Sequence, residues 1–428
     1  MTTWLAKNRY LRVLIANTQY RRLWSAQVVS QLGDWFSSIA LYTLVLSLTG
    51  SAEAVGLLIG AQFLPAALAG YWAGPLADRL GRRSLMLTAD IGRAALALCY
   101  LAVDRPERVP LLYLITVLMV LFQAVFEPAR KSALPDIVHR DQMVLANAIS
   151  GATWSTMLCL GAAAGGLVSG YFGHRAAFLL NSLSFLMSAY FVTGLRFSSD
   201  EVERTTGAPW GECLSYLRRH PRLAVYMLSK TLWCLGGGIT LVLTLYGKRE
   251  YPLSGGVGES GAISIGLFYA MRGLGSALGP FLAYRIKGHS LKGLPGALVP
   301  GFLIGSLGYL LLSHSWSLPV AMACVFFAHL GGSTQWVFST SLLQLSLKPE
   351  VRGRVFALEY TGLNLAVAVS SYLVGRAGDA GWSASELAQL MSSTFLFTGL
   401  IMTGLLFVTR GESPETSNGP GHGEDDRD

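Results

Sequence analysis

Residues Gly74 to Arg83 read GPLADRLGRR and stand at the end of about twenty mostly apolar residues. The stretch concentrates Asp78, Arg79, Arg82 and Arg83 between two glycines, Gly74 and Gly81, that permit turns and close backbone approach. Three readings suit such a cluster: a catalytic loop, a phosphate cradle, or the connection between two helices in lipid. A phosphate-binding P-loop is excluded, because no Gly-Lys-Ser/Thr follows and no strand pattern precedes. Asp78 is placed to accept hydrogen bonds from the N-terminus of a neighbouring helix. Otherwise the stretch is a short turn with positive anchors.

Composition selects the third reading. Of 428 residues 52% are hydrophobic and 14% charged, and mean hydropathy is +0.45, whereas soluble domains carry roughly a quarter charged residues. Twelve apolar runs are long enough to cross a hydrocarbon core of about 30 Å as helix. They lie near residues 23–49, 54–76, 84–103, 110–127, 144–170, 176–195, 223–247, 262–284, 294–313, 318–342, 354–375 and 387–409.

The formal charge of +8 follows topology and does not point to nucleic acid. Lys and Arg gather before span 1 (Lys7, Arg9, Arg12, Arg21, Arg22) and after span 2 (Arg79, Arg82, Arg83). They recur after span 4 (Arg130, Lys131, Arg140), between the halves (Arg196, Arg204, Arg218, Arg219, Arg222) and after spans 8 and 10 (Arg285, Lys287, Lys292; Lys348, Arg352, Arg354). The opposite loops hold fewer, including Arg105, Arg108, Lys248, Arg249 and Arg376. The positive-inside bias therefore predicts that both termini and the decapeptide are cytoplasmic. Residues 1–22 lead into a long first span with no small-residue cleavage site, which predicts a retained helix and not a signal peptide. The five cysteines, Cys99, Cys159, Cys213, Cys234 and Cys324, are unclustered and fit small packing residues better than disulfides or a metal site.

The chain also repeats itself weakly. GPFLAYRIKGH, Gly279 to His289, follows span 8 as the decapeptide follows span 2, with Tyr284 where the acid should be. LPDIVHRDQMVLANAIS (Leu134 to Ser150) is echoed by LKPEVRGRVFALEYTGLN (Leu347 to Asn364). Six-helix repeats of this kind characterise transporters that rock one half against the other around a midplane site. The predicted segments are a cytoplasmic stretch 1–22, a first bundle 23–195, a linker 196–222, a second bundle 223–409 and a disordered acidic tail 410–428.

GPLADRLGRR resembles motif A of the major facilitator superfamily, all of whose specified positions it meets. QLGDW (Gln31 to Trp35), FEPARKSALPDIV (Phe126 to Val138) and WGECLSYLRRHPRLA (Trp210 to Ala224) are similar to a bacterial effluxer branch that includes macrolide exporters, enterobactin exporters and lysophospholipid transporters. The resemblance implies an all-α membrane protein with twelve transmembrane helices in two pseudo-symmetric six-helix bundles. It implies a cytoplasmic latch in which Gly74, Asp78, Arg79, Gly81, Arg82 and Arg83 meet span 11 near Arg354. Two departures stand out: Ala162 occupies the Pro position of the antiporter signature in GAAAGG, Gly161 to Gly166, and span 4 lacks the intramembrane Arg of proton-coupled drug antiporters.

Ionisable groups inside spans are expensive and usually face protein or water. Asp34 lies roughly 16 Å above the start of span 1 at 1.5 Å per residue. Gln27 and Gln31 share its face. Since the resemblance places spans 1, 4, 7 and 10 around a central cavity, Asp34 is a candidate for substrate contact or proton transfer; capping by Ser30, Ser37 or Ser38 is the alternative. Asp90 and Arg93 suit a structural ion pair. Arg272, midway along span 8, needs an acid or an anionic ligand, and Asp34 or a substrate phosphate or carboxylate are the options. Further candidates for substrate or proton are Lys230, His329, which ordinary packing suits as well, and Glu127, for which a gate or helix-end ion pair beside Arg130 is the favoured alternative, with Glu359 open to either a gate pair or proton coupling. Trp35, Phe63, Trp154, Trp233, Gln335 and Trp336 supply apolar faces with a few polar tips, which suits an amphipathic ligand as well as plain packing. WGECLSYLRRHP predicts a short interfacial helix ended at Pro221 and held by lipid headgroups.

No metal-ligand spacing, nucleophile elbow or cofactor loop occurs, so neither an enzyme nor a bound cofactor is expected. The expected partners are a small amphipathic substrate, protons as coupling ion, and membrane lipids, with no nucleic acid and a monomeric chain in a bacterial inner membrane. Export by alternating access leads; lysophospholipid movement between leaflets and a non-transporting receptor or scaffold are the alternatives.

Overall fold

The computed structural model describes residues 9–69, 81–139, 142–196, 209–287 and 295–410, and these are helical with no strand among the described residues. A short helix α1 (Arg9–Ala16) leads into α2 (Thr18–Thr49), whose N-cap Asn17 accepts from Tyr20 N and donates to Ile137 O at 2.7 Å. Gly50 ends α2 with φ 68°, the left-handed conformation that lets the chain reverse at once into α3 (Ala52–Ala69). Then come α4 (Arg82–Cys99) and α5 (Val109–Ile137). The latter continues through Pro128 and Pro135, ten residues beyond the span expected from apolarity alone.

Spans 5 and 6 form α6 (Met143–Thr156), a π-helical turn at Met157–Gly161, and α7 (Ala162–Thr193), which is broken at Gly173 with φ 79°. That break falls in the gap the sequence leaves between 170 and 176. The π turn stands immediately before Ala162. Span 5 thus carries a local irregularity where the antiporter signature has its proline, and π turns often mark functional sites. The second half begins with α8 (Trp210–Arg219), which buries Cys213 and Leu217 and ends before Pro221. It continues with α9 (Pro221–Cys234), α10 (Ile239–Leu245), α11 (Ala262–Lys287), α12 (Leu298–Ser313), α13 (Leu318–Ser346), α14 (Pro349–Asp379) and α15 (Ala384–Val408). Helix α11 runs on through Pro280, so the start of the decapeptide's echo is helix and not loop.

One span departs from expectation. The run 223–247 reads as continuous, but Leu235 to Gly238 leave the α-helical pattern between α9 and α10 for tight turns whose bonds run from Gly236 N to Trp233 O and from Gly237 N to Cys234 O. A break in the helix is tolerated at membrane depth only where other groups take up the hydrogen bonds it frees. Ser370 of α14 does so, accepting from Gly238 N at 3.0 Å and donating to Leu235 O at 2.6 Å. Phe395, Val367 and Val374 fill the space that side chains at Gly236, Gly237 and Gly238 would need.

The halves meet along two helix pairs, α3 with α14 and α7 with α11. At the second, a Cβ on Gly166 would lie 2.8 Å from Ala262 O, and one on Gly266 would lie 2.6 Å from Ala162 O. Small residues let helix backbones touch where lipid supplies no hydrophobic drive. Among the described residues, seven helical segments satisfy strict length and apolarity for membrane crossing, and two shorter apolar helices, Ala52–Leu68 and Leu298–Ser313, accompany them. Phe172, Leu186, Phe397 and Leu400 are exposed, as side chains facing hydrocarbon tails should be.

Candidate functional site

The break in span 7 positions a polar cluster between the halves. Thr240, in the first turn of α10, receives Tyr269 Oη at its carbonyl (3.0 Å) and Arg272 Nη1 at its hydroxyl (3.3 Å). Tyr269 stacks on Tyr42 of the first half, with centroids 6.2 Å apart, and meets Trp35 edge-on at 5.6 Å. Tyr42 donates to Gln62 Oε1 at 2.8 Å. Arg272 is half-buried and has no carboxylate partner among the described residues; the Tyr269 ring lies 5.8 Å from its guanidinium carbon. Its charge acts on Tyr42, Tyr309 and His329. A guanidinium at this depth keeps its charge and its five donors, so it requires water or an anion.

Asp34 does not meet it. The carboxylate makes no hydrogen bond or ion pair among the described residues, and only its backbone carbonyl is used, by Ser38 at 2.8 Å. The hydroxyl capping considered for it is absent: Ser30 donates to Gln27 O, and Ser37 receives Asn181 Nδ2. One turn away, Gln31 Oε1 is buried without a partner. Asp34 feels Arg93, Asp90 and Glu127 electrostatically, but Arg93 is committed to Asp90 at 2.5 Å and sandwiched by Phe126 and Phe185. Among the described residues, each half thus holds a mid-depth charge without a counter-ion, Asp34 in the first and Arg272 in the second.

The other candidates are placed as follows. Glu127 pairs with Arg130 at 2.9 Å, and Arg130 also holds Gln27 Oε1. In the second half Lys230 bonds Glu359 at 3.0 Å and Thr340 at 2.7 Å, with the Trp336 ring 5.0 Å from its ammonium. Glu359, open on sequence grounds to a gate pair with Lys or Arg or to proton coupling, is the ion-pair partner of Lys230, because one turn of α14 lies against α9 there. Trp233 is wedged between Phe302 and Phe395 inside the second bundle. Gln335 donates to Ser229 and His329 bonds Tyr309 Oη at 3.0 Å, so both are buried within that bundle. Trp35 lies against Gly161 and Gly165.

Gly74, Asp78 and Arg79 lie outside the described residues. Gly81 precedes α4; Arg82 pairs with Asp136, and Arg83 donates to Thr193 O at 2.5 Å. These arginines tie the start of α4 to the ends of α5 and α7 within one half. Among the described residues no group of three or more His, Cys, Asp or Glu is placed to hold a metal ion.

At the end of the molecule opposite these arginines the halves are joined. Glu259, between α10 and α11, accepts from Ser47 at 2.9 Å and lies 3.3 Å from His174, both in the first half, with Lys248 at 3.7 Å. Its amide donates to Ser169 O. Arg249 reaches Gly50 O. Asp379, at the end of α14, accepts from Ser51, Ala52 N and Glu53 N. The contacts between the halves were not legible beforehand, since each pairs residues far apart in the chain.

Two bundles of apolar helices, several of them long enough to cross a bilayer, define a multi-pass membrane protein. The chain belongs to the Major Facilitator Superfamily, whose family model matches residues 23–371. It is 24% identical over 397 residues to the uncharacterised MFS-type transporter YfiS of Bacillus subtilis, covering 90% of this chain and 91% of that one. A provisionally assigned bacilysin exporter of the same species is 24% identical over 77% of this chain and 81% of its own. The staphyloferrin A transporter of Staphylococcus aureus is 21% identical over 52% and 57%. Among solved structures, a nucleoside transporter, NupG, superposes with TM-score 0.71 at 12% identity, over 90% of this chain and 99% of that one. An inward-facing bacterial homologue of the human lysosomal transporter Spinster does so with 0.68 at 14%, over 92% and 95%.

Proposed function

We propose that the protein is a secondary-active exporter that moves a small amphipathic molecule across the bacterial inner membrane by alternating access, with the arginine-rich end and both termini in the cytoplasm. The observation that carries the reading is the pair of mid-depth charges without a counter-ion among the described residues, Asp34 and Arg272, one in each half, beside Trp35, Tyr42 and Tyr269. Rings take an apolar body, Arg272 takes a polar head, and Asp34 carries the coupling proton. The relatives assigned to bacilysin and staphyloferrin A support the transport of small natural products. Residues 23–195 and 223–409 act as the two moving bodies, in a monomer surrounded by lipid, and motif A latches their cytoplasmic ends. Lys230 and Glu359 neutralise one another and hold α9 against α14.

Arg272 also favours a second reading, movement of a lysophospholipid whose phosphate it would hold. Purified protein is to be screened by thermal shift against a macrolide, a catecholate siderophore and lysophosphatidylglycerol, since a ligand that prefers the folded state raises its stability. The compound that stabilises is then followed in proteoliposomes. Collapse of the pH gradient should slow its movement, and Asp34→Asn should remove that sensitivity. Transport indifferent to both perturbations would sink proton coupling through Asp34, and no movement of a stabilising ligand would favour a receptor.

A further inference from the structure

We propose that Asp379 is the gate residue of the end opposite motif A: seated on the N-terminus of α3, it holds the two halves together there, and its release opens that face. The inference rests on the alternating-access reading above.

The first four amides of a helix lack intrahelical acceptors. In α3 the amides of Ala52, Glu53 and Ala54 are all satisfied, but by two different bodies. Ser51 Oγ accepts from Ala54 N at 3.0 Å in the ordinary N-cap manner. Asp379, from the other half, takes the remaining two: Oδ1 accepts from Ala52 N at 2.6 Å, and Oδ2 from Glu53 N at 3.2 Å and Ser51 Oγ at 2.5 Å. The cap of a first-half helix is therefore shared across the interface. A carboxylate at this position also meets the positive end of the helix dipole.

The backbone around it is shaped for the contact. A Cβ on Gly375 would stand 2.8 Å from Ala52 O, one on Gly378 would stand 2.9 Å from Ala52 Cβ, and one on Gly56 would lie 2.5 Å from Ser371 O. Glycines along both helices bring α14 onto the start of α3. Farther along, Thr361 donates to Ala67 O at 3.0 Å, so the pair runs antiparallel. Motif A follows the far end of α3, where α14 begins at Pro349. One antiparallel pair thus lies along the interface: a carboxylate from α14 caps α3 at one end, and in the sequence motif A follows α3 at the other. Nothing in the sequence singles out Asp379, because its partners are backbone amides.

The test uses the full-length protein in lipid nanodiscs, with native cysteines replaced and spin labels at Glu107→Cys in the first half and Val257→Cys in the second. Both positions are exposed at this end. Double electron–electron resonance reads the ratio of long to short distances. Asp379→Ala should raise that ratio about tenfold, the scale of losing charge-assisted hydrogen bonds that are partly solvated. Asp379→Asn and Ser51→Ala should give smaller increases, and Asp379→Glu should return toward the wild-type ratio. A lowered unfolding temperature with an unchanged distance ratio in Asp379→Ala and Asp379→Asn would make the residue merely structural and overturn the gate. A single distance in wild type and every variant contradicts alternating access itself; two populations whose ratio ignores Asp379 contradict the gate alone.

Discussion

Removing the carboxylate of Glu359 should be among the most destabilising single changes in the second bundle. The Lys230 and Glu359 side chains are 5% and 4% exposed and 3.0 Å apart. At an effective dielectric constant near 20 their attraction is about 5 kcal/mol, while withdrawing each ion from water costs several kcal/mol. The intact pair is therefore close to neutral, and its loss is not. Glu359→Ala leaves the ammonium with Thr340 and the Trp336 ring, and breaking such a pair costs about 3–5 kcal/mol. Glu359→Ala and Lys230→Met should each lower the apparent unfolding temperature in detergent by several degrees, and the double variant Lys230→Met with Glu359→Leu should recover most of the loss. The coupling is read from the double-mutant cycle. Single variants as stable as wild type, or a double variant as unstable as the sum of both, would refute this account of the pair.

Two further outcomes are expected. Gly266→Val should push α11 from α7, because its Cβ would stand 2.6 Å from Ala162 O and 2.8 Å from Gly166 Cα; a loss of about 1–3 kcal/mol is the usual scale for overpacking, read as a lower unfolding temperature, and unchanged stability would show that the crossing is loose. Closure at the end held by Glu259 should weaken in acid. The hydrogen bond from His174, with those of Ser47 and the charge of Lys248, holds that carboxyl below its ordinary 4.5 despite burial. A depressed value means that the stabilisation is complete above about pH 4.5 and is lost as the pH falls through the lowered value. Glu259→Gln should therefore abolish the acid limb of the distance ratio between labels at 107 and 257, and an identical acid limb in that variant would exclude Glu259 as its source.

Much of the bundle is legible in the sequence because lipid enforces length: a run of apolar residues either spans or it does not. Gly173 breaks the chain in the gap between spans 5 and 6 for that reason. The break in span 7 was hidden, since Gly236, Gly237 and Gly238 are apolar enough to pass as helix and the hydroxyl that satisfies the backbone at the break, Ser370, comes from a helix more than a hundred residues away. Charges inside spans could be found, but their partners could not. Asp34 and Arg272 suggested one another, whereas helix phase turns Arg272 toward Thr240 and leaves Asp34 without a cation. Lys230 and Glu359 were each visible and their union was not. In lipid, small residues and polar contacts decide which faces meet, and these carry no period that a single sequence displays.

The proposed transport cycle turns on a mid-depth site that opens to each face in turn. Its most direct test places one thiol at Gln31→Cys, a turn from Asp34, in a cysteine-free background of the full chain in proteoliposomes. A membrane-impermeant maleimide is then applied from the arginine-rich face and, separately, from the opposite face. Labelling from both sides is expected, with Asp379→Ala speeding the reaction from the opposite face and slowing it from the arginine-rich one. Labelling from one face only, in the wild-type protein and in Asp379→Ala alike, would contradict it.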